Sequence, residues 1–322
     1  MPQPFDAVLL VAFGGPQGPE DVRPFLANVL KGRRVAPERV DEVAHHYERF
    51  GGVSPLTELT MRQAVVLEAR LRGRGMSLPV HVGMRNWHPF LADTLTSMSK
   101  RGIRRAVGVL AAAQRSYSGC LQYKENVRDA RGVLQERGVA DVDVTYVCDW
   151  YEHPGFVEAN VDHVNQALLS LPASVRDAAR IVFTAHSIPV AMAARYPYER
   201  QLQTSARLVA AAAGRADWAL VYQSRSGRPE DPWLEPDVCD YLKRERANGL
   251  QGAVLCPIGF LCDHIEVLYD LDVEAADVCR TIGLPMARAS AVNAHPRFID
   301  ALADAVIEVC DRYRGGQPLP LG

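Results

Sequence analysis

The chain has 322 residues, of which 48% are hydrophobic and 23% are charged, and its formal net charge is −2. This length is enough for two domains of ordinary size, and the composition is that of a globular protein. The near-neutral charge, with arginines dispersed beside acids, gives no electrostatic footprint for nucleic acid. No apolar run is long enough to span a bilayer, and the first residues lack the basic region of a signal peptide. We therefore expect a cytoplasmic protein with no nucleic-acid partner and no integral membrane segment.

Short apolar runs alternate along the chain with longer amphipathic stretches. The predicted strands are 7–13, 79–84, 106–112, 142–147, 180–185, 217–223 and 253–257. The predicted helices are 19–30, 59–72, 89–100, 119–136, 155–170, 198–213, 236–248, 263–280 and 295–313. This alternation predicts an α/β fold whose parallel sheets are covered by helices on both faces.

The alternation occurs twice, with a first half that runs to about Cys148 and a second half from near Trp150 to near Ala289. Each half contains about four predicted strands, and a closing helix follows the second half. Because no low-complexity linker separates the halves, we expect them to pack closely, with a ligand cleft between them.

Two glycine turns follow the first strand and the first long helical stretch. The first reads LVAFGGP and includes Phe13, and its glycines would let the backbone approach a flat or anionic ligand. It matches neither the dinucleotide-binding fingerprint nor the P-loop, so a nucleotide site is not supported. The second reads FGGVSPL and offers Ser54 as a hydrogen-bond donor. Each is also compatible with an ordinary turn.

The segment GMRNWHPF follows the second predicted strand and places Arg85, Asn86 and Trp87 at the carboxyl end of that strand. Arg85 could pair with a substrate carboxylate, because guanidinium groups bind carboxylates in a two-pronged geometry. Further arginines that could serve in this way are Arg33, Arg34, Arg49 and Arg115.

The segment QRSYSGCLQY follows the third predicted strand and offers Tyr117, Ser118 and Tyr123. Aromatic rings in this position could line a flat apolar ligand. Ordinary loop structure is the alternative for this segment, as it is for YQSRSGRPEDPW, which follows the strand predicted at 217–223.

The segment FTAHSIP places His186 at the end of the strand predicted at 180–185, before Pro189 stops regular structure. Histidine has a near-neutral pKa, so it is a natural proton acceptor at physiological pH. A purely structural hydrogen-bonding role is the alternative for a single histidine.

The segment CPIGFLCDHIEVLYDLDVE places Glu266, Asp270 and Glu274 four residues apart. On an α-helix this spacing puts three carboxylates on one face, where each like-charged pair costs about 0.2–0.5 kcal/mol. Such a strip of oxygens suits a divalent cation in transit better than one that is held tightly. A solvated helix face is the alternative. However, a buried strand precedes the strip and brings His264 and Glu266 to the sheet edge where ligands bind in α/β proteins.

In chain order, LVAFGGP, VRPFLANVL, GGVSPL, GMRNWHPF, SYSGCLQY, FTAHSIP, YQSRSG with PWLEP, and PIGFLCDHIEVLYDLD resemble the motifs of ferrochelatases, which insert ferrous iron into a porphyrin. The resemblance covers nearly the whole chain. It implies two Rossmann-like lobes around a porphyrin cleft, each a roughly four-stranded parallel sheet flanked by helices. The lobes would comprise residues 1–148 with a returning C-terminal helix in 290–322, and residues 149–289.

The resemblance assigns the catalytic roles to His186 in AHSIP and to Glu266 in DHIE, which would handle the pyrrole protons and the metal. Asp270 and Glu274 match an acidic ladder that leads the metal inward. The residues expected to bind the porphyrin are Phe13, Ser54, Arg85, Asn86, Trp87, Tyr117, Ser118, Tyr123 and His264.

Phe13 and the SYSGC and MRNWHP variants resemble the actinobacterial branch of the family, whose members typically metallate coproporphyrin III. Protoporphyrin IX is the alternative substrate. The expected partners are therefore the porphyrin and Fe²⁺, both as substrates, with enzymes of the haem pathway as further candidates. No cofactor is expected.

Some ferrochelatases hold a [2Fe-2S] cluster, and Cys120 matches the first ligand position of that arrangement. Four thiolates are needed to hold the cluster, and of the other six cysteines only Cys310 lies near the C-terminus, where the remaining ligands belong. We therefore expect no cluster, and mostly buried, reduced thiols.

Three other functions fit part of the pattern. A cobalt or nickel chelatase of a tetrapyrrole such as sirohydrochlorin would share the chemistry, but GMRNWHPF and SYSGC resemble the iron enzymes. A non-enzymatic haem or porphyrin carrier would not need the three spaced carboxylates. An unrelated sugar- or nucleotide-binding protein would require the motif order to be coincidence.

Overall fold

The structure is a computed structural model of the chain that describes residues 3–32, 36–226 and 230–319. Arg33 and Arg34, named above as candidate carboxylate partners, lie outside the described residues, as do residues 227–229 of YQSRSGRPEDPW. The chain divides into two compact units. The first comprises 1–111, 118–148 and 299–322, and the second comprises 112–117 and 149–298.

The sheet of the first unit contains four parallel strands in the order β2-β1-β3-β4. These strands are β1 (Ala7–Ala12), β2 (Val80–Met84), β3 (Arg105–Leu110) and β4 (Asp143–Tyr146). All residues of β1 are buried, which is why its sequence AVLLVA is an unbroken apolar run without polar alternation.

The sheet of the second unit is also parallel and four-stranded, in the order β6-β5-β7-β8. Its strands are β5 (Arg180–His186), β6 (Trp218–Gln223), β7 (Ala253–Cys256) and β8 (Met286–Arg288). The register of β5 and β6 places His186 directly beside Gln223 at the carboxyl end of the sheet. This is the edge at which ligands bind in open α/β sheets.

The helices in the first part of the chain are α1 (Val22–Val29), α2 (Pro37–Glu48), α3 (Leu56–Gly73), α4 (Leu91–Lys100) and α5 (Gln122–Glu136). The later helices are α6 (Pro154–Ser170), α7 (Ala173–Arg176), α8 (Val190–Ala193), α9 (Tyr198–Ala212), α10 (Val238–Ala247), α11 (Ile265–Val267), α12 (Ala276–Thr281) and α13 (Pro296–Arg314). A 3₁₀ turn at Pro19–Asp21 precedes α1, and π-helical segments occupy Tyr117–Leu121 and Leu268–Ala275. Within the described ranges, no helix is both long and apolar enough to span a membrane.

The helical stretch from α11 to α12 is held to its sheet by apolar residues that recur every fourth position. These residues are Val267, Leu271, Ala275 and Cys279, all buried. They pack in one cluster with strand residues such as Leu255 of β7. Each of the three spaced acids comes one residue before a member of this stripe, so the packing of the stripe sets the direction of the acids.

The predicted α/β class with two four-stranded parallel sheets is confirmed. The seven predicted strands all form, with bounds within two residues of the prediction. The prediction named neither β8 nor α2. Strand β8 has only three residues, too few to show a period, and α2 reads PERVDEVAHHYE, which is polar on most of its surface.

The division into units differs from the predicted lobes in two segments, because residues 112–117 and 290–298 belong to the second unit. In the first segment, the Arg115 amide donates to Gln201 Oε1 over 2.6 Å. In the second, the Ala291 amide donates to Asp263 Oδ1 over 3.1 Å. These contacts tie both segments to the second unit, whereas strand periodicity alone could not assign them. The predicted cleft between the lobes stays a prediction.

Candidate active site

His186 is the last residue of β5, and its orientation is set by two backbone carbonyl groups. The Tyr198 hydroxyl donates to the carbonyl oxygen of His186 over 3.1 Å. The Nδ1 atom of His186 makes a short hydrogen bond with the carbonyl oxygen of Ser187. A carbonyl oxygen can only accept, so Nδ1 carries the hydrogen in this arrangement. In the neutral form of the ring, Nε2 is then the nitrogen that can accept a proton.

Glu266 faces this nitrogen from α11. Its Oε2 atom lies 3.9 Å from His186 Nε2 and 3.6 Å from His264 Nε2. Both distances exceed those of an ordinary hydrogen bond. The side chains of His186 and Glu266 are 31% and 44% exposed. The structure thus brings three predicted site residues together at one solvent-accessible carboxylate.

His264 lies against Phe260, with ring centroids 5.0 Å apart, and its side chain is 18% exposed. Its buried Nδ1 has no hydrogen-bond partner within the described part of the chain. The segment before it is fixed by Asp263, which accepts from Arg288 Nη1 and from Asn293 Nδ2, each over 2.8 Å. Asp263 therefore fixes the backbone that carries His264 and Glu266.

The acidic strip continues from Glu266 through Asp270 to Glu274, but in a different helix type from the one predicted. Asp270 and Glu274 lie in the π-helical segment, which closes by i→i+5 hydrogen bonds and not by the i→i+4 bonds of an α-helix. Glu274 is exposed, while Asp270 is only partly exposed. The prediction of a regular α-helix was wrong for this segment, because spacing by four residues does not separate the two helix types.

Asp270 is held by hydrogen bonds to one of its two oxygens. Gln223 Nε2 donates to Asp270 Oδ2 over 3.1 Å, and Ser224 Oγ donates to the same oxygen in a short hydrogen bond. Burial raises the pKa of Asp270 to about 7, and the charges of Glu266 and Glu274 add to the increase while the two hydrogen bonds oppose it. Near neutral pH, this carboxyl group can therefore gain or lose a proton.

Gln223, Ser224 and Tyr198 were not predicted as site residues. Gln223 and Ser224 lie in the quoted segment YQSRSG, so its position after a strand adjacent to His186 was an available signal. Tyr198 offered no such signal, because its contact with His186 depends on how α9 packs on the sheet.

Within the first unit, the glycine turn after β1 packs against the turn that carries Ser54. Gly14 has φ of +86°, a conformation that glycine adopts without steric cost. A Cβ atom on Gly15 would lie 2.7 Å from Ser54 Cβ. The close approach that these glycines allow is thus to the buried Ser54, and approach to a ligand stays a prediction.

Four predicted porphyrin-binding residues gather beside this turn. The Arg85 guanidinium carbon lies 5.5 Å from the Phe13 ring centroid and 5.4 Å from the Tyr123 ring centroid. The backbone N–H of Asn86 donates to the backbone carbonyl of Phe13 over 3.0 Å. Contacts with two aromatic faces stabilise the cation and restrict its movement. Arg85 is therefore engaged by protein rings, and its pairing with a substrate carboxylate stays a prediction.

The remaining predicted porphyrin-binding residues lie in nearby segments of the sequence. Trp87 Nε1 donates to Asp21 Oδ2 over 3.1 Å, which fixes the indole. Tyr117 and Ser118 begin the π-helical turn that precedes α5, and both are partly exposed. Their predicted roles stay predictions.

The seven cysteines, all in the described part of the chain, form no disulfide. Burial raises the pKa of the Cys279 and Cys310 thiols to about 11, which favours inert thiols over thiolate ligands. Among residues 3–32, 36–226 and 230–319, no group of three or more His, Cys, Asp or Glu side chains is arranged to hold a metal ion. The expectation that the chain holds no [2Fe-2S] cluster, which needs four ligands, stays a prediction.

The fold is shared with structures of the chelatase class. SirB from *Bacillus subtilis*, solved with Fe³⁺, matches with a TM-score of 0.59 at 12% identity, over 98% of this chain and 99% of that chain. At this identity the match shows the fold alone.

The sequence comparisons identify the family. A ferrochelatase family model matches residues 5–309. A protein of *Rhodopirellula baltica* named ferrochelatase is 48% identical over 95% of this chain and 86% of its own length. A protein of *Mycolicibacterium smegmatis* named coproporphyrin III ferrochelatase is 45% identical over 98% of this chain and 94% of its own length. The chain belongs to the ferrochelatase family.

Proposed function

We propose that this protein inserts Fe²⁺ into coproporphyrin III in haem biosynthesis, giving coprohaem III. Membership of the ferrochelatase family supports the metallation reaction. The 45% identity to a relative named coproporphyrin III ferrochelatase supports the choice of porphyrin. The predicted cytoplasmic location is part of the same proposal.

The observation that carries the mechanism is the pairing of His186 Nε2 with Glu266 Oε2 at 3.9 Å. Insertion of Fe²⁺ into the macrocycle releases two pyrrole N–H protons. His186 accepts a pyrrole proton at Nε2, because Nδ1 already donates to the Ser187 carbonyl. Glu266 stabilises the imidazolium that forms and assists in removing the proton.

The acidic strip supplies the metal. Glu274 is exposed and meets Fe²⁺ first, and Glu266, at the other end of the strip, lies 3.9 Å from His186 Nε2. The described residues contain no closed group of three or more ligands, which supports transit over tight retention. Carboxylates with open coordination positions can release Fe²⁺ to the porphyrin nitrogens, whereas a closed Cys/His cage would retain it.

The first-unit residues that gather around Arg85 are proposed to bind the porphyrin. Phe13 and Tyr123 offer aromatic faces next to a cation, and the macrocycle is flat and carries propionates. Phe13 has no metal-ligating atom, so it contributes apolar contact alone.

The test is anaerobic metallation of the purified protein with Fe²⁺, offering coproporphyrin III and protoporphyrin IX separately and following the loss of porphyrin fluorescence. We expect turnover of both or of coproporphyrin III alone, with the larger kcat/KM for coproporphyrin III. A larger kcat/KM for protoporphyrin IX would overturn the choice of substrate. Absence of turnover with either would overturn the proposed function. Metalloporphyrin that stays bound after a single turnover would indicate a carrier.

A further inference from the structure

Gln223 and Ser224 have no assigned role, yet they lie beside the proposed catalytic pair. Gln223 ends β6 directly opposite His186, and its carbonyl oxygen accepts from the Ser187 amide over 2.8 Å. The two residues thus share a sheet edge with His186, the proposed proton acceptor. They also contact residues of the acidic strip that lie 43 or more positions later in the sequence.

The side chain of Gln223 spans two members of the strip. It is 1% exposed, and its Nε2 donates to the Glu266 carbonyl oxygen over 3.2 Å and to Asp270 Oδ2 over 3.1 Å. Ser224 Oγ donates to the same Asp270 oxygen. Within the described chain, every hydrogen bond to the Asp270 carboxylate falls on Oδ2, and none falls on Oδ1.

Two features of these residues cost stability, which indicates that the arrangement serves a purpose other than folding. Ser224 has φ of +61°, a left-handed conformation that is unfavourable for a residue with a Cβ atom. Gln223 Oε1 is buried without a hydrogen-bond partner in the described ranges, which is unfavourable for a polar atom. Both features orient donors towards Asp270. Such local costs are concentrated at functional sites.

Building on the proposed function, we propose that Gln223 and Ser224 are positioning residues for delivery of the divalent cation. They hold Asp270 by Oδ2 and leave Oδ1 to meet Fe²⁺ between Glu274 and Glu266. A carboxylate with one oxygen occupied by two donors binds the cation through its other oxygen. Because the two donors already orient the carboxylate, Fe²⁺ is captured without the entropic cost of ordering that side chain, and loss of one donor weakens the capture.

The decisive variant is Ser224→Gly, which removes the hydroxyl while glycine accepts the left-handed backbone without strain. We expect the KM for Fe²⁺ to rise about 3- to 10-fold, the range that one hydrogen bond of ordinary net strength provides. The kcat and the KM for the porphyrin should stay within about twofold of wild type, and the melting temperature should not fall. The matched control is Ser226→Gly, which changes an exposed serine two residues further along and should alter none of these quantities.

A double variant tests whether Ser224 affects Fe²⁺ delivery through Asp270 or through a change in the conformation of the turn that carries it. In an Asp270→Asn background, Ser224→Gly should raise the KM for Fe²⁺ no further, because the group that the hydroxyl holds is already neutral. Gln223→Met should reproduce the rise in the KM for Fe²⁺ in the otherwise wild-type protein.

Several outcomes would overturn the inference. The first is a KM for Fe²⁺ in Ser224→Gly that equals the wild-type value. The second is a rise in the KM for the porphyrin as large as the rise in the KM for Fe²⁺. The third is a rise in the KM for Fe²⁺ on adding Ser224→Gly to Asp270→Asn that is as large as in the wild-type background. Wild-type protein that metallates neither porphyrin would overturn the proposed function, and this inference with it. Wild-type turnover together with an unaffected Ser224→Gly variant would overturn the inference alone.

Discussion

At the scale of single residues, the tautomer of the neutral His186 ring is set by a backbone atom. The carbonyl oxygen of Ser187 accepts a hydrogen bond from Nδ1–H of His186. The Tyr198 hydroxyl donates to the backbone carbonyl of His186 and so fixes that peptide group. In the neutral ring, Nε2 is therefore the nitrogen that can accept a proton. A base that is already protonated could not accept a pyrrole proton, so this tautomer is the one that the proposed mechanism requires.

The first prediction follows from this arrangement. His186→Ala should lower the rate of Fe²⁺ insertion by about 10²- to 10⁴-fold, the usual contribution of a positioned general base. The affinity for the metal-free porphyrin, measured by fluorescence titration, should change little. His45→Ala is the matched control, since His45 is an exposed residue of α2 whose ion pair with Glu48 lies in the first unit. Wild-type turnover by His186→Ala would contradict the assignment.

The second prediction concerns the cost of keeping Asp270 partly buried. Its pKa in the folded protein is about 7, above the ordinary value of 3.8, so the folded state binds more protons than the unfolded state between these values. The contribution of Asp270 to the free energy of unfolding should therefore fall as the pH rises from about 4 to about 7. Asp270→Asn removes this loss and should stabilise the protein at pH 8 by about 1–3 kcal/mol, with allowance for partial exposure.

Denaturant unfolding of wild type and Asp270→Asn at pH 4.5 and pH 8 would measure this difference. The stabilisation of Asp270→Asn relative to wild type should be present at pH 8 and largely absent at pH 4.5. Asp277→Asn, at an exposed carboxylate of α12, is the control and should shift stability little at either pH. Equal stability of wild type and Asp270→Asn at both pH values would contradict the prediction.

At the scale of elements, the stretch from α11 to α12 combines an anchoring stripe with a functional strip. Val267 and Leu271 are buried in the core, and the acids that precede them lie along the border of that stripe. The π-helical segment adds a wider turn between the two α-helical pieces. Anchoring by the core allows the acids to lie near one another despite their mutual repulsion.

The third prediction belongs to this element. Glu274→Ala should raise the KM for Fe²⁺ while leaving kcat and porphyrin affinity near wild type, because Glu274 is the exposed end of the strip. Asp277→Ala is the matched control, since Asp277 pairs with Arg280 on the same helical stretch, outside the strip. Steady-state kinetics with Fe²⁺ as the varied substrate would measure both. A Glu274→Ala variant identical to wild type would remove Glu274 from the proposed path.

The predictability of these elements differed for physical reasons. Buried parallel strands such as β1 are apolar runs, and the seven longer strands were predicted to within two residues. Strand β8 was missed because three residues show no period. The π-helical turn was missed because residues four apart lie near one another in both helix types.

At the scale of the whole molecule, each unit contains a partly buried histidine that resists protonation. Burial lowers the pKa of His81 in the first unit and of His163 in the second, where the charge of His295 contributes. The unfolded chain then binds more protons than the folded protein just below the ordinary histidine pKa of about 6.5. The stability due to the neutral rings is complete above that pH and is lost as the pH falls.

The fourth prediction is therefore a loss of thermal stability on mild acidification, in a window that begins near pH 6.5. His163→Gln should flatten the dependence of melting temperature on pH between 7.5 and 5.5, since the glutamine does not titrate. His45→Gln, at an exposed position, should leave the slope unchanged. A His163→Gln variant with the same slope as wild type would contradict the prediction.

The amino-acid sequence by itself determined the α/β class and seven of the eight strands, and it singled out the residues of the candidate site. Apolar runs report burial directly, and the carboxyl end of a parallel strand is where His186 could be expected to meet a ligand. Tertiary structure alone decided which partners these residues meet. The register of β5 and β6 places Gln223 beside His186, and the packing of the acidic strip brings Glu266 and Asp270 to residues 43–47 positions away. Such contacts depend on long-range packing, which local sequence patterns do not encode.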